Sequence, residues 1–373
     1  MTAMRIVVTG ADGFIGRNLR LRLRELGHTE VVAVTRQTPA AQLPGLLAGA
    51  EFVFHLAGVN RPQDPAEFQT GNAGFSAELC SALRDSGCRA AVVFASSTQA
   101  ELDNPYGRSK RAAEDALLRH GRDSGVPVHL FRLPNVFGKW SRPNYNSAVA
   151  TFCHQIARGL PISIHSPAAP LQLLYVDDLV AAWTALLAAP SAGGGPAEAG
   201  PVYQTTVGAL AQTLRGFADS RSTLMTPPVG SGLLRALHAT YLSFLLPADF
   251  AYEVPQHADA RGVFVEMLKT PDCGQFSYFT AHPGITRGGH YHHSKSEKFL
   301  VIQGTAHFGF RHIETGERHE LVTRGGEARI VETVPGWTHD IRNIGDDTLI
   351  VMLWANEVFD RDRPDTVALP VRP

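Results

Sequence analysis

The sequence predicts two domains of different class, an α/β doubly wound parallel sheet followed by an all-β sandwich or barrel. Its 373 residues suffice for about two domains, at roughly 100–200 residues each. In the first part apolar strand runs alternate with helix-sized segments, whereas short β-rich runs separated by turns fill the part after about residue 246. We therefore place the domains at 1–246 and 247–373.

Composition and charge exclude several classes of protein. Hydrophobic residues make up 44% of the chain and charged residues 18%, which is typical of packed cores. The net charge of -1 gives no reason to expect nucleic acid or an anionic membrane as a partner. The most apolar run, Leu179–Ala189, is shorter than the about 20 residues that span a bilayer.

The cysteines and the first residues indicate a cytoplasmic protein. The cysteines are Cys80, Cys88, Cys153 and Cys273. They are scattered and form no CxxC pair, so we expect reduced thiols. The chain enters a strand almost at once, which leaves no room for a signal peptide.

The strands of the first domain are apolar runs separated by helix-sized segments. They are RIVVTG (5–10), EVVAVTR (30–36), FVFHLAG (52–58) and AAVVFASS (90–97). Helical spacing covers Ile15–Leu26, between the first two. Strands connected in this way lie parallel in one sheet.

The second domain is predicted from six β-rich runs. They are VFVEMLK (263–269), QFSYFTA (275–281), EKFLVIQG (297–304), AHFGFRH (306–312), EARIVE (327–332) and TLIVMLW (348–354). A predicted helix over Leu233–Leu245 would bridge the domains, and SAGGGPAEAGP (191–201) is expected to be an exposed loop.

A glycine-rich turn follows the first strand and opens the first helix. Gly10, Gly13 and Gly16 are spaced as in a dinucleotide-binding turn, where the backbone approaches a pyrophosphate closely and the helix N-terminus favours its charge. The alternative is a tight turn without a ligand.

Thr35 and Arg36 end the second strand, where a carboxylate would select NAD. A guanidinium there suits a 2′-phosphate, so we expect NADPH; the alternative is a solvated arginine and mixed cofactor use.

A tyrosine and a lysine four residues apart form a second chemical pattern. On a helix Tyr106 and Lys110 share a face, so the ammonium can lower the pKa of the phenol and hold the nicotinamide ribose. Tyr106 would then protonate a carbonyl oxygen during hydride transfer. Ser96, Ser97 and Thr98 end a strand just upstream and offer hydroxyls for the same oxygen.

Histidines and a glutamate in the second domain form a candidate metal site. Strand alternation makes His290 and His292 project together and His293 oppositely, with Glu297 after a short turn. His339 comes from a later strand. Three imidazoles and one carboxylate suit Zn, Fe, Mn or Ni.

Over about its first 240 residues the chain resembles the extended short-chain dehydrogenase/reductase family. The stretches that carry the resemblance are TGADGFIG (9–16), HLAG (55–58), Asn72, FASS (94–97), YGRSK (106–110), RLPNVFG (132–138) and LLYVDDL (173–179). The resemblance implies a Rossmann fold and a catalytic set of Ser97, Tyr106 and Lys110, with Ser96 and Thr98 as alternatives to Ser97.

The same resemblance implies the residues that bind cofactor and substrate. The expected cofactor-binding residues are Gly10, Asp12, Gly13, Phe14, Ile15, Gly16, Thr35, Arg36, Leu56, Ala57, Gly58, Tyr106 and Lys110. Asn135 would lie near a nucleotide-linked sugar. Arg142 belongs to the segment 139–146, which is either part of that sugar pocket or an ordinary loop.

The histidine region resembles the first sequence motif of the cupin family, which implies a cupin barrel. The spacing from Gly284 through His290, His292 and Glu297 to Gly304 fits, whereas Pro335 and His339 are one residue closer than in the second motif. The resemblance implies that His290, His292, Glu297 and His339 bind a metal, for which we expect zinc. The alternative is a metal-free sugar pocket.

The whole chain resembles bifunctional enzymes of capsular polysaccharide synthesis. The supporting stretches are 138–162, 257–270 and 287–304. The resemblance implies C3 epimerisation of a UDP-2-acetamido-2,6-dideoxy-4-keto-hexose in the cupin, then C4 reduction with NADPH to a 6-deoxy-talosamine-type sugar on the route to UDP-N-acetyl-L-fucosamine. It also implies a homodimer.

Two other functions remain open at this point, as does the epimerisation base. The alternatives are a reductase whose cupin only binds or dimerises, and a non-catalytic NADP sensor, against which the Tyr106/Lys110 pair argues. Candidates for the base are Tyr291, His292, His293 and Lys298; alternation from Glu297 counts against Lys298.

Overall fold

The computed structural model describes residues 4–188, 196–259, 262–265, 268, 270, 274–357 and 362–372. Several predictions from the sequence fall at the edges of these ranges. Residues 191–195 of the predicted loop 191–201, part of the strand-like run 263–269, and Cys273 lie outside the described residues.

Twenty strands are assigned in the described residues. They are β1 Ile6–Thr9, β2 Val31–Val34, β3 Phe52–His55, β4 Ala91–Ser97, β5 Val128–Leu133, β6 Asn135–Phe137, β7 Pro170–Tyr175, β8 Val202–Thr206, β9 Ala251–Glu253, β10 Gln256–Asp259, β11 Gly262–Val265, β12 Gln275–Ala281, β13 Thr286–Tyr291, β14 Glu297–Gln303, β15 Thr305–His312, β16 Arg318–Arg324, β17 Arg329–Glu332, β18 Trp337–Asn343, β19 Leu349–Ala355 and β20 Val367–Ala368.

The same residues form nine α-helices. They are α1 Phe14–Glu25, α2 Leu43–Leu47, α3 Ala66–Phe68, α4 Phe75–Asp85, α5 Pro105–Ser124, α6 Ala148–Ile156, α7 Val176–Ala185, α8 Val207–Thr223 and α9 Gly232–Leu242. A π-helical stretch, Gln69–Gly74, joins α3 to α4, and short 3₁₀ turns occur at Ala40–Gln42, Thr98–Glu101 and Pro247–Phe250. The predicted helices over 15–26 and 233–245 correspond to α1 and α9.

The first sheet is parallel and has the strand order β2-β1-β3-β4-β5. Its central strands are buried on both faces, as expected for a sheet covered by helices. Residues such as Val7, Val53 and Val92 pack in one core with Leu79 and Leu117 of α4 and α5. The sheet confirms the predicted doubly wound α/β fold, and a smaller sheet, β6-β7-β8, adds to it.

Helix α5, which carries the tyrosine–lysine pair, has well-defined ends. Asn104 caps its first turn by accepting a hydrogen bond from the Gly107 amide at 2.8 Å, and Pro105 occupies the first position. Gly125 ends it in the left-handed conformation, with φ 68°. The capped N-terminus therefore places Tyr106 in the first turn of α5 and Lys110 one turn later.

The predicted β domain contains two antiparallel five-stranded sheets. One has the order β12-β19-β14-β17-β9 and the other β16-β15-β18-β13-β20, and a separate hairpin joins β10 to β11. Phe299, Phe308 and Phe310 are buried in this domain. Two antiparallel sheets of this kind are consistent with the predicted cupin-like barrel.

Compact units divide the chain along a different line from the predicted boundary at Leu246. The first contains residues 1–137, 145–147 and 171–204, and the second contains 138–144, 148–170 and 205–373. The second unit thus holds α6, α8 and α9 together with both antiparallel sheets. Polar contacts explain this grouping, because the buried Asn356 amide donates to Val229 O at 3.2 Å and Arg221 of α8 donates to Asp249 O. The two-domain boundary at 246 stays a prediction about independent folding.

Three ionic side chains, of which Lys298 and Glu332 are buried and Arg221 is partly exposed, form a network in the second unit. The Lys298 ammonium bonds the Glu332 carboxylate and lies 2.8 Å from the Tyr252 hydroxyl. Arg221 Nη2 is 3.6 Å from Glu332 Oε2 and its guanidinium stacks on the Tyr252 ring. Burial raises the pKa of the Glu332 carboxyl, but the two cations outweigh it and hold that pKa below its ordinary value.

Among the described residues, no helix is long and apolar enough to cross a membrane. Cys80, Cys88 and Cys153 are buried free thiols, in keeping with the expected absence of a disulfide framework among them. Burial raises the pKa of the Cys80 thiol to about 11, so it stays protonated at neutral pH.

We predict that Glu332→Gln destabilises the protein by about 3–5 kcal/mol, because it leaves the buried Lys298 and the partly exposed Arg221 without their shared anion. Glu327→Gln is the matched control. It removes a carboxylate from the exposed pair with Arg324, at 3.5 Å, and should cost less than about 1 kcal/mol. Urea unfolding followed by tryptophan fluorescence measures both, and equal losses would contradict the network's role.

Candidate active site and metal centre

The carboxyl edge of the parallel sheet brings together the segments predicted to bind the cofactor. The turn 10–16 follows β1, residues 35–36 follow β2, and residues 56–58 follow β3. These strands are direct neighbours in the sheet, with the chain leaving β1 and β3 toward opposite sides. Ligands of open α/β sheets bind at such a switch point.

Glycines let the two turns on either side of the switch point touch. Gly10 has φ 65°, and a Cβ there would lie 2.7 Å from the Ala57 amide nitrogen. A Cβ on Gly16 would lie 2.3 Å from the Gly10 carbonyl oxygen. Thr9 fixes the same contact by accepting from the amides of Leu56 and Ala57 at 3.1 and 3.2 Å. The glycines therefore let backbone pack directly against backbone in this turn, which is the construction expected where a pyrophosphate approaches a helix N-terminus.

The other expected cofactor residues lie around this turn. Phe14 and Ile15 begin α1, and Asp12 is exposed and pairs with Arg20 at 3.2 Å. The Thr35 amide donates to Thr38 Oγ1 at 3.0 Å, which turns the chain directly after β2. Arg36 is exposed at this turn.

Tyr106 and Lys110 lie beside the strand-terminal serines, as predicted. Ser97 is the hydroxyl whose proximity lowers the pKa of Tyr106. Ser96 is instead buried and donates to Glu114 at 2.5 Å, and Thr98 is exposed at the start of a 3₁₀ turn. This geometry favours Ser97 among the three alternatives.

The expected effect of Lys110 on the phenol is not what the structure shows. Burial raises the pKa of Tyr106, the Ser97 hydroxyl lowers it in part, and Tyr145 raises it. The Lys110 ammonium points into the sheet and donates to Ala95 O at 2.9 Å. Burial lowers the pKa of Lys110 itself to about 8, with the Glu114 carboxylate opposing. Burial therefore favours the protonated form of the Tyr106 phenol.

Two asparagines complete the surroundings of Tyr106. The phenol donates to Asn60 Oδ1 at 3.1 Å, a contact that no sequence signal indicated. Asn72, part of the family resemblance, accepts from the Val59 amide at 2.8 Å and donates to Ser109 at 3.0 Å. Asn72 therefore holds the segment after Gly58 against helix α5.

The predicted substrate residues fall in different compact units. Asn135 is exposed at the start of β6 in the first unit. Arg142 is exposed in the second, within the segment 138–144. In that segment Trp140 has φ 68° and its indole donates to His312 Nε2 at 3.1 Å. The segment is therefore a structured part of the second unit.

The structure brings the four predicted metal ligands together. Ligand atoms of His290, His292, Glu297 and His339 all lie within 4.8 Å of one another. Glu297 Oε2 is 3.2 Å from His292 Nε2 and 3.6 Å from His339 Nε2. His290 and His339 are paired across β13 and β18, with ring centroids 4.7 Å apart.

A bulge in β13 places His290 opposite His339. The register shifts between Gly288 and His290, and Gly288 and Gly289 have φ 98° and 75°. A Cβ on Gly288 would lie 2.9 Å from His339 O. The two strands therefore approach closely because no side chain stands between them.

The charge state of the cluster fits a divalent ion. Burial lowers the pKa of His290 to about 3, and burial also lowers the pKa of His339. Burial alone would raise the pKa of Glu297, but hydrogen bonds with His292 and His339 carry it well below its ordinary value. Neutral imidazoles beside an ionised carboxylate are the donors that zinc prefers. The residues present therefore fit a bound metal.

The structure places three lysine and histidine side chains relative to the ligand cluster. Lys298 lies in the buried network with Glu332, which confirms that it points away from the cluster. His293 is outside the ligand group and its ring packs edge-on against Tyr291. Lys295, which the sequence analysis missed, is 2.9 Å from Glu297 Oε1. The carboxylate therefore offers one oxygen to an ammonium and the other to the imidazoles.

Comparison with protein families identifies both parts of the chain. Residues 6–200 match the NAD dependent epimerase/dehydratase family, which is more than half of the chain. The chain belongs to that family. Residues 257–367 match the polysaccharide biosynthesis C-terminal domain. Together with the parallel sheet described above, this match confirms the predicted Rossmann fold.

Full-length relatives support the resemblance to enzymes of capsular polysaccharide synthesis. The chain is 57% identical over 368 residues to a UDP-2-acetamido-2,6-beta-L-arabino-hexul-4-ose reductase of Pseudomonas aeruginosa, covering 99% of both chains. It is also similar to the capsular polysaccharide assembling protein CapF of Staphylococcus aureus, with a TM-score of 0.68, 40% identity and coverage of 99% and 100%.

A third comparison concerns the fold of the family alone. The UDP-glucose 4-epimerase of Thermotoga maritima matches with a TM-score of 0.52 and 24% identity, over 58% of this chain and 82% of its own. The parallel-sheet part is thus shared widely, whereas the full two-part layout is shared with the two relatives above.

We predict that Gly16→Ala lowers the free energy of unfolding by about 1–3 kcal/mol, because the new Cβ would meet the Gly10 carbonyl. Gly45→Ala in α2 is the control. No atom lies within 4 Å of its Cβ position, so it should be neutral or stabilise the protein by about 0.5–1 kcal/mol. Thermal and urea unfolding measure both variants. A Gly16→Ala variant with the same free energy of unfolding as the wild type would contradict the close contact between Gly16 and Gly10.

Proposed function

We propose that the protein is a bifunctional nucleotide-sugar enzyme. It epimerises a UDP-2-acetamido-2,6-dideoxy-4-keto-hexose at C3 and reduces the C4 ketone with NADPH. The observation that carries the proposal is that one chain holds both a Ser97–Tyr106–Lys110 group and a four-ligand cluster, in a sequence 57% identical to a hexul-4-ose reductase. The product would be a UDP-6-deoxy-talosamine-type sugar, on the route to UDP-N-acetyl-L-fucosamine for capsule or O-antigen polysaccharide.

The reduction follows from the protonation states around Tyr106. NADPH, bound at the glycine turn, would supply the hydride to C4. Tyr106 is protonated and donates its proton to the carbonyl oxygen as the hydride adds. Ser97, whose hydroxyl influences the pKa of the phenol, would orient the same oxygen. Lys110, whose pKa of about 8 keeps much of it charged at neutral pH, would hold the cofactor ribose.

The epimerisation follows from the acidity of the C–H bond next to a ketone. A divalent ion held by the cluster would stabilise the negative charge of the enolate. A base removes the C3 proton, and return of a proton to the opposite face inverts the centre. Lys298 is unsuited as that base because it is committed to Glu332 and Tyr252. Reduction at C4 then removes the acidity and fixes the product.

A reductase with a non-catalytic cupin is the second candidate function. The Pseudomonas aeruginosa relative is named as a reductase alone, and this name favours the second candidate function.

In either case we propose a cytoplasmic homodimer. The exposed side chains of Phe276, Tyr278 and Met352 on neighbouring strands β12 and β19 offer an apolar surface for a second copy.

We predict that Arg36→Ala weakens NADPH binding by roughly 10–100-fold, the cost of losing a charged hydrogen-bonding partner, and leaves NADH binding little changed. Arg24→Ala, at another exposed arginine in the first unit, is the control and should change neither. Fluorescence titration with both cofactors gives the ratio, and an unchanged ratio in Arg36→Ala would argue for mixed cofactor use.

We predict that the two activities separate by mutation. In heavy water without NADPH, the wild type should place deuterium at C3 of a UDP-4-keto-6-deoxy sugar, and His290→Ala or His339→Ala should abolish it. Tyr106→Phe should lose NADPH oxidation while exchange continues. His307→Ala, on a barrel histidine outside the cluster, is the control.

Mass spectrometry of the recovered sugar measures the exchange. No deuterium with the wild type would remove the epimerase and leave the reductase with a non-catalytic cupin. Loss of both activities in Tyr106→Phe would contradict two separate sites.

A further inference from the structure

The carboxylate of Asp365 holds the turn that connects two of the proposed metal ligands. Its Oδ1 accepts from the His293 amide at 2.9 Å, and its Oδ2 accepts from the amides of Ser294 and Lys295, both at 2.7 Å. The Ser294 hydroxyl donates to Oδ2 as well, at 3.1 Å. One side chain therefore satisfies four donors between His292 and Glu297.

The backbone carbonyl of the same residue fixes the ring of His292. Nδ1 of His292 is hydrogen-bonded to Asp365 O. A carbonyl oxygen only accepts, so Nδ1 carries the proton. Nε2 of the same ring faces Glu297 Oε2 at 3.2 Å. The bond at Nδ1 therefore leaves Nε2 as the ring nitrogen that is turned towards the ligand cluster.

The chain around Asp365 is bound to the strands that carry the other ligands. Val367 and Ala368 of β20 pair with Tyr291 and His290 of β13, and the Leu369 amide donates to Gly289 O at 2.8 Å. Thr338, next to His339, donates to Leu369 O. Asp365 is thus anchored to the same strands as His290 and His339.

A cation close to Asp365 offsets its charge. Arg235 Nη2 of α9 lies 3.8 Å from Asp365 Oδ2 and 3.3 Å from Glu357 Oε2. The Asp365 side chain is only 12% exposed. The carboxylate therefore has a partner on its helix side and turns its hydrogen-bonding oxygens to the 293–295 turn.

We propose that Asp365 is a positioning residue of the metal site, which sets the tautomer and orientation of His292 and the shape of the 293–295 turn without binding the metal. The proposal rests on the metal-binding cluster of the proposed function. Residues that orient metal-binding histidines typically contribute 10–100-fold to metal affinity.

The first test measures zinc affinity of the full chain by competition with a chromophoric chelator. Asp365→Ala should raise the Kd for zinc roughly 10–100-fold. Asp365→Asn keeps one carbonyl oxygen as an acceptor and should lie between Asp365→Ala and the wild type. Asp346→Ala, at an exposed aspartate before β19, is the control and should bind as the wild type does.

The second test needs no metal. Long-range ¹H–¹⁵N spectra of the metal-free chain should show His292 with the proton on Nδ1 in the wild type. Asp365→Ala keeps the carbonyl oxygen that accepts from Nδ1 but loses the four side-chain bonds that hold this oxygen beside the ring, so we expect a mixture of tautomers. His55, held between Thr9 and Ser76 at 2.8 and 2.9 Å, serves as the reference histidine and should not change. Circular dichroism checks the fold, and Asp365→Asn replaces Asp365→Ala in both tests if the latter unfolds.

The outcomes separate this inference from the proposed function. If the wild type binds zinc and Asp365→Ala binds it equally well, the positioning role is overturned. If the wild type binds no zinc, the metal part of the proposed function fails, and the His292 spectra decide this inference on their own. Unchanged His292 spectra in the variant would overturn it.

Discussion

The second compact unit depends on two adjacent charges that strand β14 sends to opposite faces. Glu297 enters the ligand cluster and Lys298 enters the network with Glu332. Both side chains are buried, and a buried charge is stable only with a partner. Each is matched, Glu297 by Lys295 and the imidazoles and Lys298 by Glu332. A slip of β14 by one residue would exchange the two charges and leave both without partners, so the pairing fixes the register of the strand.

The two candidate sites are built in the same way, although their folds differ. In each, side chains from distant parts of the sequence meet at strand ends, and a glycine removes the side chain that would keep two backbones apart. Gly10 does this between the turns after β1 and β3, and Gly288 does it between β13 and β18. The reactions that we propose for the two sites are complementary, because an enolate forms only while the ketone is present and reduction consumes it.

The sequence predicted most of the fold and the ligand cluster because both have regular spacing. Strand alternation correctly separated His290 and His292 from His293 and turned Lys298 away. It could not reveal contacts between residues far apart in sequence, such as Asn60 with Tyr106 or Asp365 with His292. It also misjudged how Lys110 acts on Tyr106, because burial outweighs a shared helix face. The grouping of α8 and α9 with the β sheets likewise depends on buried polar contacts that have no period.

The bond between His292 and Asp365 has a consequence for the order in which the protein is made. The two residues are 73 positions apart, which at typical synthesis rates corresponds to roughly 4–15 s of translation. During that interval His290, His292 and Glu297 have left the ribosome without the chain that orients them. Non-local contacts of this kind form late. The three imidazole and carboxylate ligands of the proposed metal site are therefore made before the residue that orients His292.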